Sequence, residues 1–208
     1  NTALKTRGNM FNMLNVKYFI VPQGPGKPPG VMENPVALGP AWFVEEIQQV
    51  EDANKELEAL NELKPNMTAV VQKSKAASLN GLANTPAPGD KIYLKRYHPD
   101  TMTYMSETTN ERFAVFSEMY YPPEHGWNVY INGEKADPFI KTNFLLRGMR
   151  IPKGKNEIKM IFEPRAQILG GQIGTLSSVL IIALLGFFTF RHLTSEEKRE
   201  EEEEVAEA

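Results

Sequence analysis

Apolar residues follow three different spacings along this chain. Up to about residue 75 the spacing changes from one short stretch to the next. From Lys91 to Pro164 it settles into short stretches with a two-residue period. From Ile168 to Phe190 it becomes a run of 23 residues without a formal charge. The first region predicts a short helix over Thr2–Leu14, with Leu4, Phe11 and Leu14 on one side and Gly8 weakening it. Lys17–Val21 reads as a strand. Pro22–Pro40 holds six Pro and four Gly in 19 residues and is expected to be an irregular loop, because proline removes amide donors and fixes φ. Ala41–Val50 is predicted as one strand. Asp52 is placed to cap a helix running to Leu63, whose buried face would be Ala53, Leu57 and Leu60 at i, i+4 and i+7. Pro65 stops that helix, Met67–Gln72 reads as a strand, and Asn80–Asp90 as a second loop.

The second region is almost wholly β. Ile92–Tyr97, Thr101–Glu107, Arg112–Tyr121, Trp127–Ile131, Phe144–Arg150 and Glu157–Glu163 are short, spaced strand candidates. Ile158, Met160 and Phe162 alternate with Lys159, and Met119 and Tyr121 with Glu118 and Tyr120, which suits a half-buried antiparallel sheet. Asn132-Gly133 is a hairpin signal because both residues tolerate positive φ, and Pro152–Lys155 supplies another turn. The expected fold is mainly β with a small α/β lead-in: an antiparallel β-sandwich or jelly-roll-like outer domain plus one C-terminal transmembrane helix. The expected divisions are a lead-in at 1–75 containing the Pro/Gly loop 22–40, a linker at 76–90, the sandwich-like domain at 91–165, the transmembrane helix at 168–190 and an acidic tail at 191–208.

As a helix, the third region would be about 34 Å long at ~1.5 Å per residue, enough to cross a hydrocarbon core of ~30 Å. The lipid bilayer is therefore an expected partner. Gly170, Gly174 and Ser178 recur every four residues, a small-residue face that lets another helix approach closely in lipid. Charge is unevenly spread. The whole chain carries −3, while the tail from Arg191 holds eight Glu against three Lys/Arg, so the remainder stands near +2. That is too mild for a nucleic-acid surface. With no Cys, thiolate metal sites, disulfides and thiol nucleophiles are excluded. The chain begins at Asn1 without a signal-peptide pattern, so an exported, anchored domain is expected to be the C-terminal piece of a longer chain.

Asn12–Val21 (NMLNVKYFIV) and Asn34–Val44 (NPVALGPAWFV) resemble the C-terminal region of the YfhO-like family of large bacterial polytopic membrane proteins. Phe116–Pro122, Gly126-Trp127, Ile131–Gly133, Leu146-Arg147 and Ile151–Gly154 extend the resemblance over most of residues 12–165. The resemblance implies a many-helix body of the GT-C glycosyltransferase type, an outer β-rich domain and one last helix. It also implies transfer of sugars from lipid-phosphate carriers to envelope glycans at the bacterial cytoplasmic (inner) membrane. The acidic catalytic residues of such folds lie in an early outer loop, upstream of Asn1, so no position here inherits a catalytic role. The implied partners are the upstream membrane helices of the same parent chain and an envelope glycan.

The residues themselves offer one candidate binding set. Trp42, Tyr121 and Trp127, with His125 nearby, are candidates to present aromatic faces to the C–H faces of a sugar; the favoured expectation is that Trp42 and Trp127 instead fill the sandwich core, as large aromatics usually do. Glu118 and Glu124 are close in sequence, but sequence proximity does not establish the spacing a glycosidase pair needs. His98, His125 and His192 show no metal-ligand spacing, and neither a phosphate-cradling glycine loop nor a Gly-x-Ser-x-Gly elbow occurs. No catalytic, cofactor or metal residue is assigned. Arg150, Lys153, Lys155, Lys159 and Arg165 precede the apolar run, while Arg191, Lys198 and Arg199 follow it. Charge therefore does not orient the helix, and placing the bulk of the chain outside, with a cytoplasmic tail, rests on the resemblance. The expected function is that of a non-catalytic extracytoplasmic domain and last membrane helix of a YfhO-like protein. The alternatives are a membrane-tethered carbohydrate-binding module or a purely structural outer domain.

Overall fold

The computed structural model describes residues 2–82 and 84–207. In chain order the elements are α1 (Thr2–Met13), β1 (Tyr18–Val21), β2 (Gly30–Glu33), β3 (Ala41–Phe43), β4 (Glu46–Val50), α2 (Ala53–Ala59), β5 (Thr68–Gln72), β6 (Lys91–His98), β7 (Thr101–Thr108), β8 (Arg112–Met119), β9 (Trp127–Ile131), β10 (Glu134–Lys135), β11 (Ile140–Thr142), β12 (Leu146–Ile151), β13 (Gly154–Phe162) and α3 (Arg165–Glu207). They fall into two compact units, Asn1–Glu163 and Pro164–Ala208.

The first unit is built on a β-sandwich. One sheet has the order β10-β9-β13-β7-β6 and the other β11-β12-β8-β3, with every neighbouring pair antiparallel. The two-residue period decides what lies between them. Met102 and Tyr104 of β7 and Ile158 and Met160 of β13 point inward from the first sheet. Ala114 and Phe116 of β8 and Met149 and Ile151 of β12 meet them from the second. On the outer face of the first sheet Glu107 pairs with Lys91 and Lys155, and Glu157 with Lys95 and Lys159, so this face is solvated. Asn132 (φ 53°) and Gly133 (φ 88°) form the tight β9–β10 turn at positive φ, as the dipeptide predicts.

The lead-in is not a separate domain. It forms a third layer over the second sheet. Leu60, Leu63, Val70, Val71 and Leu79 share a core with Trp42, Phe113, Val115 and Leu146, and β3 is itself an edge strand of that sheet. Burial on both sides explains why Arg112–Phe116 of β8 is buried at every position instead of alternating. Ala41–Val50, expected as one strand, divides between two sheets: β3 pairs with β8, whereas β4 runs parallel to β5. The change of sheet falls at Val44 and Glu45, whose amides donate to Phe113 and Met67. The expected loop 22–40 contains the strand β2, formed by its proline-free stretch Gly30–Glu33 against β1.

Asp52 caps α2 by accepting from the Lys55 amide at 2.9 Å, but the buried face differs from the apolar pattern. Glu56 is fully buried and Leu57 exposed. The Glu56 carboxylate accepts from the Phe144 amide at 2.7 Å and from Gln72 Nε2 at 2.8 Å, and these bonds offset its desolvation. The segment 76–90, expected as a linker, is packed and bonded. Asn84 Oδ1 accepts from the Phe113 amide at 2.8 Å, and Asp90 forms a 2.6 Å ion pair with Arg112, both side chains being buried.

The second unit is α3, 43 residues long. Its Leu169–His192 segment, 24 residues, is long and apolar enough to cross a membrane. The hydroxyls of Thr175, Ser177 and Ser178 donate to the carbonyls four residues earlier, so these polar groups are satisfied within the helix. Gly170, Gly174 and Ser178 lie on this helix and are exposed. The side chains of the Glu200–Glu204 run lie outside the described residues.

Candidate functional site

Five side chains from three separated stretches converge at one end of the sandwich: Pro99 from the β6–β7 turn; Tyr121 after β8, His125 from the turn before β9 and Trp127 opening β9; and Phe162 closing β13. They line an open cleft of about 600 Å³. Local sequence explains the assembly. Trp127 and Phe162 are register partners across the β9–β13 pair, so their rings are neighbours, 5.3 Å between centroids and tilted by 41°. Pro122 and Pro123 end the run from β8, and the short helical turn Pro123–His125 closes on Gly126 at φ 106°, which returns the chain into β9. The end of β13 is held down: the Phe162 amide donates to Asp100 and the Glu163 amide to Gly126. Glu163 Oε2 accepts from Asn128 Nδ2 at 2.8 Å and from the Tyr130 hydroxyl at 3.0 Å.

Behind the cleft sits a buried cation. Arg147 is 2% exposed, and its guanidinium carbon lies 4.3 Å from the Trp127 ring centroid and 5.4 Å from that of Phe139. Its Nε donates to the Met119 carbonyl at 2.9 Å, and Nη1 reaches Met160 Sδ at 3.8 Å. Among the described residues no carboxylate comes within ion-pair distance of it. Burial pushes the Arg147 pKa down, and the half-buried Glu118 opposes that shift. Burial in turn raises the Glu118 carboxyl above its ordinary value, with Arg147 acting the other way. Since the guanidinium covers one face of Trp127, a ligand in the cleft meets the opposite face or the ring edge.

Of the four aromatic and imidazole candidates, Tyr121, His125 and Trp127 share this cleft and Trp42 does not. Trp42 is 9% exposed, donates Nε1–H to the Pro65 carbonyl at 2.6 Å and belongs to the core between the second sheet and the lead-in, so it has no face to offer a sugar. Three residues escaped the sequence reading. Pro99, Arg147 and Phe162 reach the site only through strand pairing, and the one local signal for Phe162 was its place in the alternation of β13. The lining consists of Pro99, the rings of Tyr121, Trp127 and Phe162, and the His125 imidazole. Among the described residues no three potential metal ligands converge. No family model, curated protein or solved structure matches the chain.

Proposed function

We propose that this chain is the non-catalytic extracytoplasmic domain and last membrane helix of a YfhO-like bacterial inner-membrane protein, and that its aromatic cleft holds a stretch of envelope glycan for the parent machine. One observation carries the binding part: Trp127, Phe162 and Tyr121 form an open aromatic surface of ligand-pocket size, with Trp127 stiffened from behind by Arg147. Sugar rings expose C–H faces that pack on such surfaces, while the Tyr121 hydroxyl and the His125 imidazole can exchange hydrogen bonds with ring hydroxyls. A pocket of this kind, mostly apolar with a few polar groups at its rim, is the usual form of a small-molecule site. The tether is supported by the 24-residue apolar segment of α3. The family assignment, the side of the membrane and the role in lipid-linked sugar transfer rest on the motif resemblance across residues 12–165. Docking of α3 on upstream helices through Gly170, Gly174 and Ser178 belongs to the same reading.

A glycan array probed with the full chain in nanodiscs tests the binding claim. Saturable binding to a class of envelope glycans, lost in Trp127→Ala and kept in Tyr93→Ala, is the expected result. Tyr93 is an exposed aromatic on β6 and does not line the cleft. No glycan bound, or equal binding by both variants, would overturn the claim and leave a structural outer domain.

A further inference from the structure

We propose that the β1–β2 ribbon is a membrane-contact element that lies on the interfacial layer of a bilayer through its Ile20–Val31 face. The ribbon stands apart from the sandwich as a two-stranded sheet of its own. Its register places Ile20 opposite Val31 and Tyr18 opposite Glu33 on one face, and Phe19 opposite Met32 on the other. On the second face Phe19 packs edge-on against Phe11 of α1 at 5.4 Å, while Met32 beside it remains 56% exposed. The base is fixed too. Asn34 donates its amide to the Lys17 carbonyl and its side chain to the Val16 carbonyl at 2.8 Å. The first face is therefore held outward, and its side chains are exposed among the described residues. Ile20 is 75% exposed, Val31 72% and Tyr18 60%.

An isolated two-stranded ribbon is marginal in water, and a large aliphatic pair facing out from one marks a contact surface. Three features select lipid as the occupant. First, Leu14–Val36 contains only three charged residues, Lys17, Lys27 and Glu33, and combines aliphatic residues with a tyrosine and two lysines, the mixture found at bilayer interfaces. Second, the tip connecting the strands carries Pro22, Pro25, Pro28 and Pro29. Each lacks an amide proton, so the backbone presents few unsatisfied donors to a poorly hydrated layer. Third, the same chain carries the Leu169–His192 segment, which keeps residues 2–163 within reach of a membrane. The proposal rests on that segment crossing a bilayer; it does not depend on the glycan cleft.

The absence of cysteine makes the test direct. Ile20→Cys, Val31→Cys and, as a control, Lys135→Cys on β10 each give a single labelling site at a position already exposed to solvent. The full chain is reconstituted at one copy per nanodisc in phosphatidylcholine with phosphatidylglycerol, and each thiol is labelled with an environment-sensitive fluorophore. Labels at 20 and 31 are expected to shift to shorter wavelength, to be quenched by nitroxide-bearing lipid and to be shielded from iodide. The label at 135 should show the reverse. Labels at 20 and 31 that behave like the control would overturn the proposal. So would shielding that appears only with two copies per disc, which would identify a second chain as the occupant. Failure of the chain to co-float with lipid would overturn the membrane span itself, and this proposal with it. That outcome is distinguishable because it precedes any difference between labelled sites.

Discussion

The guanidinium carbon of Arg147 lies over the Trp127 ring, 4.3 Å from its centroid, and that ring lines the cleft. A planar, weakly hydrated cation suits this position because its fork of donors can sit among two rings while its Nε donates to the Met119 carbonyl; an ammonium lacks that shape. Arg147→Lys should therefore fold but lose about 1–2 kcal/mol of stability, the scale of a desolvated cation–π contact. Urea denaturation read by far-UV circular dichroism measures the loss. A parallel change in Trp127 fluorescence, recorded in a Trp42→Phe background, would show that the ring has lost its fixed orientation.

Glu118 provides a pH test of the same neighbourhood. Burial raises its carboxyl above the ordinary value, only partly countered by Arg147. A carboxylate whose folded pKa exceeds its unfolded one is ionised more readily in the unfolded chain. It therefore costs stability as pH rises through the interval from the unfolded to the folded pKa, and the full cost remains at neutral pH. Glu118→Gln should raise stability at pH 7 and leave it unchanged well below pH 4, a difference visible in thermal unfolding at the two pH values.

Asp90 has the opposite sign. Burial pushes its carboxyl up, but the Thr109 amide, the Arg112 guanidinium and the Ala87 amide outweigh it, and the net shift is downward. Its contribution is fully present above the unfolded carboxylate pKa of about 3.9 and is lost as pH falls through the lower folded value. Asp90→Asn should cost about 3 kcal/mol at pH 7, because Arg112 is left buried without its counter-charge. The variant should also lack this site's share of the acid-induced loss in denaturant titrations run from pH 7 to 2.

Gly148 of β12 has no room for a side chain. A Cβ there would stand 2.4 Å from Phe113 Cζ and 3.0 Å from Thr142 Cγ2, both residues being fully buried. Gly148→Ala should destabilise by about 1–3 kcal/mol through overpacking. Adding Phe113→Leu should recover part of that loss if the ring is the obstacle, which a double-mutant cycle in urea would resolve.

Much of the sandwich was legible because its order is local. The alternation of Ile158 and Met160 about Lys159, the Asn132-Gly133 turn and the Asp52 cap each act within a few residues, and the structure places them as read. Features set by distant partners were not legible. Glu56 looks like a solvent-facing residue until Phe144, 88 positions away, is brought to its carboxylate. The loop 76–90 looks like a linker until Arg112 and Phe113 arrive at Asp90 and Asn84. β8 fails to alternate because the lead-in folds back over its second face. The cleft mixes both kinds of order: Tyr121, His125 and Trp127 are neighbours in sequence, whereas Phe162 and Arg147 join them only through strand pairing.

Cysteine accessibility on the two sides of a sealed membrane tests the central claim that α3 carries the β unit across a bilayer from the tail. Single cysteines at Lys135 in the β unit and at Glu204 in the tail are exposed to a membrane-impermeant maleimide in intact cells, before and after permeabilisation. Modification at 135 in intact cells, with 204 reached only after permeabilisation, is the result this account predicts. Modification of both sites from the same side, or release of the chain from membranes by alkaline carbonate, would contradict it.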